Sequence, residues 1–194
     1  TAESPEASPQ QQRVLREATE MIDAQTRRMQ RLIDEFASLT RFPEPTPTVT
    51  ELNTFCESVA RNTTRSRSTH TLRVETADHR VEAPIDATLM EHALNNLIEN
   101  ALDALGDRDE SADAEVVVAV RPGPRIVVAD TGKGMDPETA QQVFDEHFTT
   151  KRRGMGIGLS FAKRVAEAHG FAIRLESIPG QGTTVTIDMS EKSA

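Results

Sequence analysis

A chain of 194 residues is long enough for one well-buried domain with room for an appendage. Its 31 Asp and Glu against 22 Lys and Arg, a formal net charge of −9, exclude nonspecific binding to nucleic acid or to an anionic membrane surface. The single cysteine, Cys56, rules out an internal disulfide framework and reads as a small buried residue in a reducing, cytoplasmic compartment; no run reaches the roughly 20 apolar residues of a membrane span.

Residues 1–12, TAESPEASPQQQ, lack both the apolar core of a signal peptide and enough apolar surface to order themselves, and predict a flexible tail or loop. From 13 to 41 the seam Leu15, Ala18, Ile22, Gln25, Met29, Leu32, Phe36, Leu39 alternates steps of three and four, the pattern of a helix packed lengthwise on other helices. Such a seam is stable only when covered, so the helix either dimerises or pairs with a neighbour outside this sequence. The stretch FPEPTPTV, 42–49, ends it, because Pro43, Pro45 and Pro47 force extended backbone and remove donors; this is the expected linker.

A second domain follows over 50–190. Residues 51–65 predict a short amphipathic helix, TLRVETA a strand, and 86–105 a long helix. AEVVVAVRPGPRIVVAD predicts a hairpin closed by PGP, 158–169 a helix, and FAIRLESI with GTTVTIDM a second hairpin around PGQG. This order predicts an α+β fold, a two-layer sandwich with a mixed sheet covered by helices on one face.

Three constellations carry chemistry. In NNLIENALDAL, Asn96 and Asn100 stand four apart on a helix whose apolar face is Leu89, Ala93, Leu94, Leu97, Ile98, Ala101, Leu102 and Leu105. A solvated polar stripe is the ordinary reading, yet Asn is a poor mid-helix residue, and a neutral amide carbonyl can ligate Mg²⁺ without adding charge beside phosphate. Next, ADTGKGM places Asp130 at the end of a strand, before Gly132 and Gly134, where it could accept from an exocyclic amine such as that of adenine; an ordinary Asp-Thr-Gly turn is the alternative. Finally, RRGMGIGLS runs Gly154, Gly156 and Gly158 into a helix, a phosphate-binding arrangement that fits neither the dinucleotide fingerprint nor the P-loop spacing. The long polar connection between the last two reads as a lid, with Lys151, Arg152 and Arg153 able to meet phosphate oxygens; a solvated charge run is the alternative for each of them.

In that order and spacing these segments resemble the sensor histidine kinase ATP-binding domain of the Bergerat-type ATPase superfamily, shared with gyrase and the heat-shock chaperones. NLIEN resembles the N box, DTGKG the G1 box, FDEHF the F box and GMGIGLS the G2 box, over residues from about 50 to 189. The resemblance implies ATP and Mg²⁺ as cofactors. It implies Asn100 as the Mg²⁺ ligand and Asn96 beside the phosphates, both catalytic; Asp130 on the adenine amine; Gly132 and Gly134 shaping the base pocket; and Gly154, Gly156 and Gly158 hinging the lid. Lys151 and Leu159 would contact nucleotide, and Thr183 would support the base through its hydroxyl. In chaperone and gyrase relatives the position of Asn96 is a hydrolytic glutamate, so the amide here favours phosphoryl transfer; Glu99 is offset and takes no base role.

The helix 13–41 resembles the second helix of the dimerisation and phosphotransfer hairpin, with LIDEFASLTRFPEP similar to nitrogen-regulation, NtrY-type kinases. The implied partners are a phosphoacceptor helix of the same kinase, a response regulator receiver domain and a second copy in a dimeric parent, which could be anchored in the inner membrane. None of the five histidines, His70, His79, His92, His147 and His169, stands in an acceptor motif resembling H-[ED]-x-x-[NT]-P, so each is expected to be structural or on the surface and no autophosphorylation is expected. Two rivals remain: an anti-sigma-type serine kinase, and a nucleotide-gated interaction module without turnover.

Overall fold

The computed structural model describes residues 42–64, 71–106, 114–150 and 156–192, together with the helical, exposed positions Ala18 and Met21. The expected tail 1–12 and the rest of the seam helix lie outside the described residues. The chain divides into two compact units, Thr1–Phe42 and Pro43–Ala194.

In the second unit, β1 (Thr48–Glu51) pairs antiparallel with β3 (Glu82–Ile85), Thr48 opposite Ile85. Neither strand is expected from the sequence: each has only four residues, β1 emerges from the proline-rich stretch read as linker, and β3 contains Pro84. A two-stranded ribbon tolerates that proline, because one edge of each strand needs no partner. Glu51 then starts helix α1 (Leu52–Thr64): its carboxylate accepts from the backbone N–H groups of Asn53 at 3.1 Å and Thr54 at 2.7 Å. Leu52, Cys56, Val59 and Ala60 face inward, and burial, followed by the charge of Glu51, pushes the Cys56 thiol up to about 12.

The main sheet contains β2 (Thr71–Glu75), β4 (Glu115–Arg121), β5 (Arg125–Asp130), β6 (Phe171–Ile178) and β7 (Gly182–Lys192), in the order β2-β4-β5-β7-β6. Only β2 and β4 run parallel, because the chain crosses between them through β3 and helix α2 (Ala87–Leu105); β4–β5 and β6–β7 are hairpins. Alternate residues Val116, Val118, Val120, Ile126, Val128, Val185 and Ile187 are buried on the face that receives α1, α2 and helix α4 (Gly158–Ala168). This is the α+β sandwich expected, with its helices on one face. On α2 the buried stripe begins at Met90, which is 0% exposed, while Leu89 is half-buried, because Met90 stands three and four residues before Ala93 and Leu94 on one helical face and Leu89 lies at its margin. Helix α3 (Pro137–Gln142), capped by Asp136 through Thr139, lies in the segment read as a lid. Among the described residues no helix is long and apolar enough to cross a membrane.

Asp86 orients α2. Its Oδ1 accepts from the N–H groups of Thr88 and Leu89, each at 3.1 Å, and its Oδ2 from the N–H and hydroxyl of Thr46, each at 3.1 Å. Its own N–H donates to Nε2 of His169 at 2.9 Å, which leaves the imidazole proton on Nδ1, 2.7 Å from the Val165 carbonyl. One residue thus ties the segment before β1, the start of α2 and the end of α4, and His169, stacked on Phe171 at 5.3 Å, has the structural role expected of it. Burial pushes the Asp86 carboxyl up, but the bonds from Thr46, Leu89 and Thr88 outweigh it and hold the group below the usual carboxylate range. Its stabilisation is therefore present above the unfolded chain's value and lost as pH falls through the lower folded value. Asp86→Ala is expected to cost about 1–2 kcal/mol in urea unfolding at neutral pH. In acid the difference from the unsubstituted chain should shrink, and a gap independent of pH would contradict the carboxylate's role.

Candidate functional site

The C-terminal ends of β5 and β6 and the start of β7 between them bring Asp130, Thr183 and Ser177 into one cross-strand row: Asp130 lies opposite Thr183, and Thr183 opposite Ser177. Asp130 is half-buried, and burial raises its carboxyl above the usual range even though the backbone N–H groups of Gly132, at 2.8 Å, and Thr183 donate to it. A carboxylate held in a partly dry position, with only part of its acceptor capacity filled by the chain, suits a neutral N–H donor from a ligand.

The turn after Asp130 is set by close backbone approach. A Cβ at Gly132 would lie 2.6 Å from the Ala104 carbonyl oxygen, to which the Lys133 N–H donates at 3.2 Å. Gly134 has φ +61 and would place a Cβ 2.0 Å from the carbonyl oxygen of Ile178. The G1-type loop therefore seals against both the end of α2 and the β6–β7 hairpin. Met135 completes it by donating its N–H to the Ser177 hydroxyl at 2.9 Å.

Asn96, Asn100 and Ala104 lie four residues apart on one face of α2, so they span about 12 Å of helix. Ala104 meets the loop after Asp130, while the other two meet α4: a Cβ at Gly158 would stand 3.2 Å from Asn100 Nδ2 and 3.3 Å from Asn96 Oδ1. One stripe of α2 therefore connects the half-buried carboxylate at one end with the glycine-led start of α4 at the other. This explains two asparagines in an apolar helix better than solvation does, since both residues are half-buried and abut a second helix.

The start of α4 differs from those of its neighbours. Carboxylates of Glu51, Asp86 and Asp136 cap α1, α2 and α3, whereas at α4 Ile157 provides no side-chain cap. Ser160 turns inward to the Ile157 carbonyl at 2.9 Å. The first-turn N–H groups and the positive helix end favour an anion there, which a carboxylate cap would repel. Gly156 packs on the backbone of His147, where a Cβ would meet its carbonyl carbon at 2.4 Å, so the end of the F-box-like segment FDEHF touches the glycine run; Leu159 is half-buried in the first turn of α4. Lys151, Arg152, Arg153 and Gly154 lie outside the described residues.

Mg²⁺ fits the donor set in one way. Amide oxygens of Asn96 and Asn100 are hard, neutral ligands suited to this ion, and among the described residues no group of three or more His, Cys, Asp or Glu could hold a metal by itself. A cation here would need ligand phosphate oxygens to complete its shell.

Ser177 and Gly182 are site residues that the sequence alone did not disclose. Closing the hairpin around Pro179–Gln181 and counting outward would have paired Ser177 with Thr183, so the signal was present in the turn.

Residues 85–193 match the family described as histidine kinase-, DNA gyrase B- and HSP90-like ATPase. The chain is 36% identical over 102 residues to the sensor histidine kinase ZraS of Salmonella typhimurium, covering 53% of this chain and 22% of that protein. It is 27% identical over 192 residues to the nitrogen regulation protein NtrY of Azorhizobium caulinodans, covering 93% and 24%. The chain thus spans about a quarter of the length of these curated relatives. In fold it is similar to the mycobacterial sensor histidine kinase MprB, with a TM-score of 0.62 and 23% identity over 73% of this chain and 95% of that one.

Proposed function

Because the chain belongs to the histidine kinase-, DNA gyrase B- and HSP90-like ATPase family, we propose that it is the ATP-binding catalytic region of a bacterial sensor histidine kinase. It would transfer the γ-phosphoryl group of ATP to a histidine on a phosphoacceptor helix, for relay to an aspartate of a response regulator. The observation that carries this reading is the α2 stripe: Asn96 and Asn100 against Gly158, and Ala104 against the loop of Asp130. A purine nucleotide laid along that stripe would put its base amine on Asp130 and its phosphates at the start of α4, where Ile157 provides no side-chain cap. Asn100 would hold Mg²⁺, which would neutralise phosphate charge when bound.

Within that arrangement the chain's own groups bind and orient. Asp130 accepts the base amine, Thr183 presents its hydroxyl beside it, and the N–H groups of α4 meet phosphate oxygens. Asn96 and Asn100 are neutral and cannot act as a general base toward water, which favours transfer over hydrolysis. Lys151 and Gly154 would contribute from the lid, and Leu159 from the first turn of α4. The domain is proposed to work on the cytoplasmic side, in a dimeric parent assembled through the helix 13–41, with none of its own five histidines as acceptor.

The test is transfer in trans. Labelled ATP, Mg²⁺ and a separately prepared acceptor helical hairpin should yield acid-labile phosphate on that hairpin, and none with Asn100→Ala, whose affinity for a non-hydrolysable ATP analogue should fall about tenfold with Mg²⁺ and little without it. Nucleotide binding with no transfer to any acceptor would favour a nucleotide-gated interaction module. Acid-stable phosphate would favour a serine kinase.

A further inference from the structure

Ser177 stands outside the residues that would touch nucleotide, yet its hydroxyl is the node of the base end of the site. Its Oγ accepts the Met135 N–H at 2.9 Å, lies 3.0 Å from the Gly182 carbonyl oxygen and 2.9 Å from Thr183 Oγ1. These contacts reach three pieces: the end of the loop that follows Asp130, the first residue of β7, and the hydroxyl beside Asp130 in the row. A serine hydroxyl has one hydrogen and two lone pairs. With the Met135 N–H on one lone pair, two proton arrangements remain.

In the first, Ser177 donates to Gly182 and Thr183 donates to Ser177, so Thr183 offers the site only an acceptor. In the second, Ser177 gives up its bond to the Gly182 carbonyl and donates to Thr183, and the Thr183 hydrogen is released toward the site. Two O–H rotations interchange them, with no heavy atom moving. Next to a carboxylate that accepts an exocyclic amine, the second arrangement supplies a donor for the ring nitrogen adjacent to that amine, directly or through a water. The adenine edge presents this donor–acceptor pair, and the guanine edge presents its reverse.

We infer that Ser177 is a positioning residue for base recognition: it holds the Thr183 hydroxyl in place and lets it serve as donor, so that selectivity for adenine nucleotides depends on a side chain that does not touch them. This inference rests on the adenine-nucleotide reading of the Asp130 site.

The experiment uses the full 194-residue chain and two replacements of equal shape, Ser177→Thr, which keeps a hydroxyl, and Ser177→Val, which does not. Affinities for ADP and GDP are read by competition against a fluorescent ADP analogue. Ser177→Thr is expected to stay within about threefold of the unsubstituted chain, while Ser177→Val loses about tenfold for ADP and little for GDP, the size expected when a partly buried hydroxyl loses its hydrogen-bond partner. Because Ser177 acts through Thr183, Thr183→Val and the double variant should show non-multiplying losses, the double falling little below Thr183→Val alone. If the Ser177→Val chain does not fold, Ser177→Ala compared with the unsubstituted chain gives the same reading.

Equal ADP affinity for the Ser177→Thr and Ser177→Val chains, a parallel loss for ADP and GDP, or losses that multiply in the double variant would each overturn the inference. Asp130→Asn separates this from failure of the underlying reading. If Asp130→Asn binds ADP normally, the base pocket itself is misassigned; if it loses ADP while Ser177→Val binds ADP as tightly as the unsubstituted chain, only the role of Ser177 is wrong.

Discussion

Replacing Asp130 by Asn is expected to weaken binding of a non-hydrolysable ATP analogue by about a hundredfold or more while leaving the fold intact. Gly132 holds Oδ1 through its N–H at 2.8 Å and the Thr183 N–H also donates to the carboxylate; an Asn side chain preserves the Gly132 bond by presenting its carbonyl there. The other carboxylate oxygen then becomes an NH₂ group, and a donor would face the donor amine of the base. The effect on stability runs the other way. Burial raises the carboxyl's pKa, so the native state binds a proton more tightly than the unfolded chain, and ionisation at neutral pH opposes folding. Removing the charge should leave the thermal midpoint of the nucleotide-free chain unchanged or raise it. Binding and stability moving in opposite directions would identify a carboxylate kept for ligand recognition. A drop in both would make Asp130 a structural turn residue.

The elements that carry the site were legible in the sequence because each has a local cause. Two asparagines four apart on an apolar helix, a carboxylate ending a β-branched run, and alternate glycines before a helix are patterns within ten residues of chain, and their order is what made the family resemblance specific. What escaped was non-local. The β1–β3 ribbon joins residues more than thirty apart, and neither strand has enough alternation to announce itself. The sequence starts the long helix at Asp86, but the bonds of that residue to Thr46 and His169 depend on elements forty and eighty-three residues away. Ser177 and Gly182 belong to the site only because the β6–β7 hairpin closes in one register.

That register also accounts for the packing of the two halves of the site. Asn96, Asn100 and Ala104 form one stripe of α2, but the loop after Asp130 reaches Ala104 only if the hairpin holds Gly134 from the other side. Gly180 N–H donates to the Lys133 carbonyl at 2.7 Å, and Lys133 N–H to Ala104, so the loop is pinned between helix and hairpin by its own backbone. Nucleotide affinity should therefore respond to changes in the hairpin that leave every ligand-facing side chain in place.

Gly182→Ala is the sharpest case. Gly182 has φ +100, and a Cβ there would lie 1.9 Å from the carbonyl oxygen of Asp130, 2.8 Å from its carbonyl carbon and 3.1 Å from the Thr131 Cα. All three obstacles are backbone atoms, so no side-chain rotation relieves them; β5 and β7 must separate where Asp130 meets Thr183. Backbone strain and overlap together are expected to cost about 3–5 kcal/mol of unfolding free energy. Gly180→Ala provides the control. Its φ is +77 with nothing within 4 Å of the added carbon, so it bears the conformational cost alone, about 1–2 kcal/mol. In urea the Gly182→Ala chain should unfold well before the Gly180→Ala chain. At temperatures where both are folded, only the former should lose nucleotide binding, because only there is the Asp130–Thr183 pair pushed apart. Equal midpoints for the two variants would mean that the contact between Gly182 and Asp130 is looser than the structure gives, and the account of the hairpin as the frame of the base pocket would fall with it.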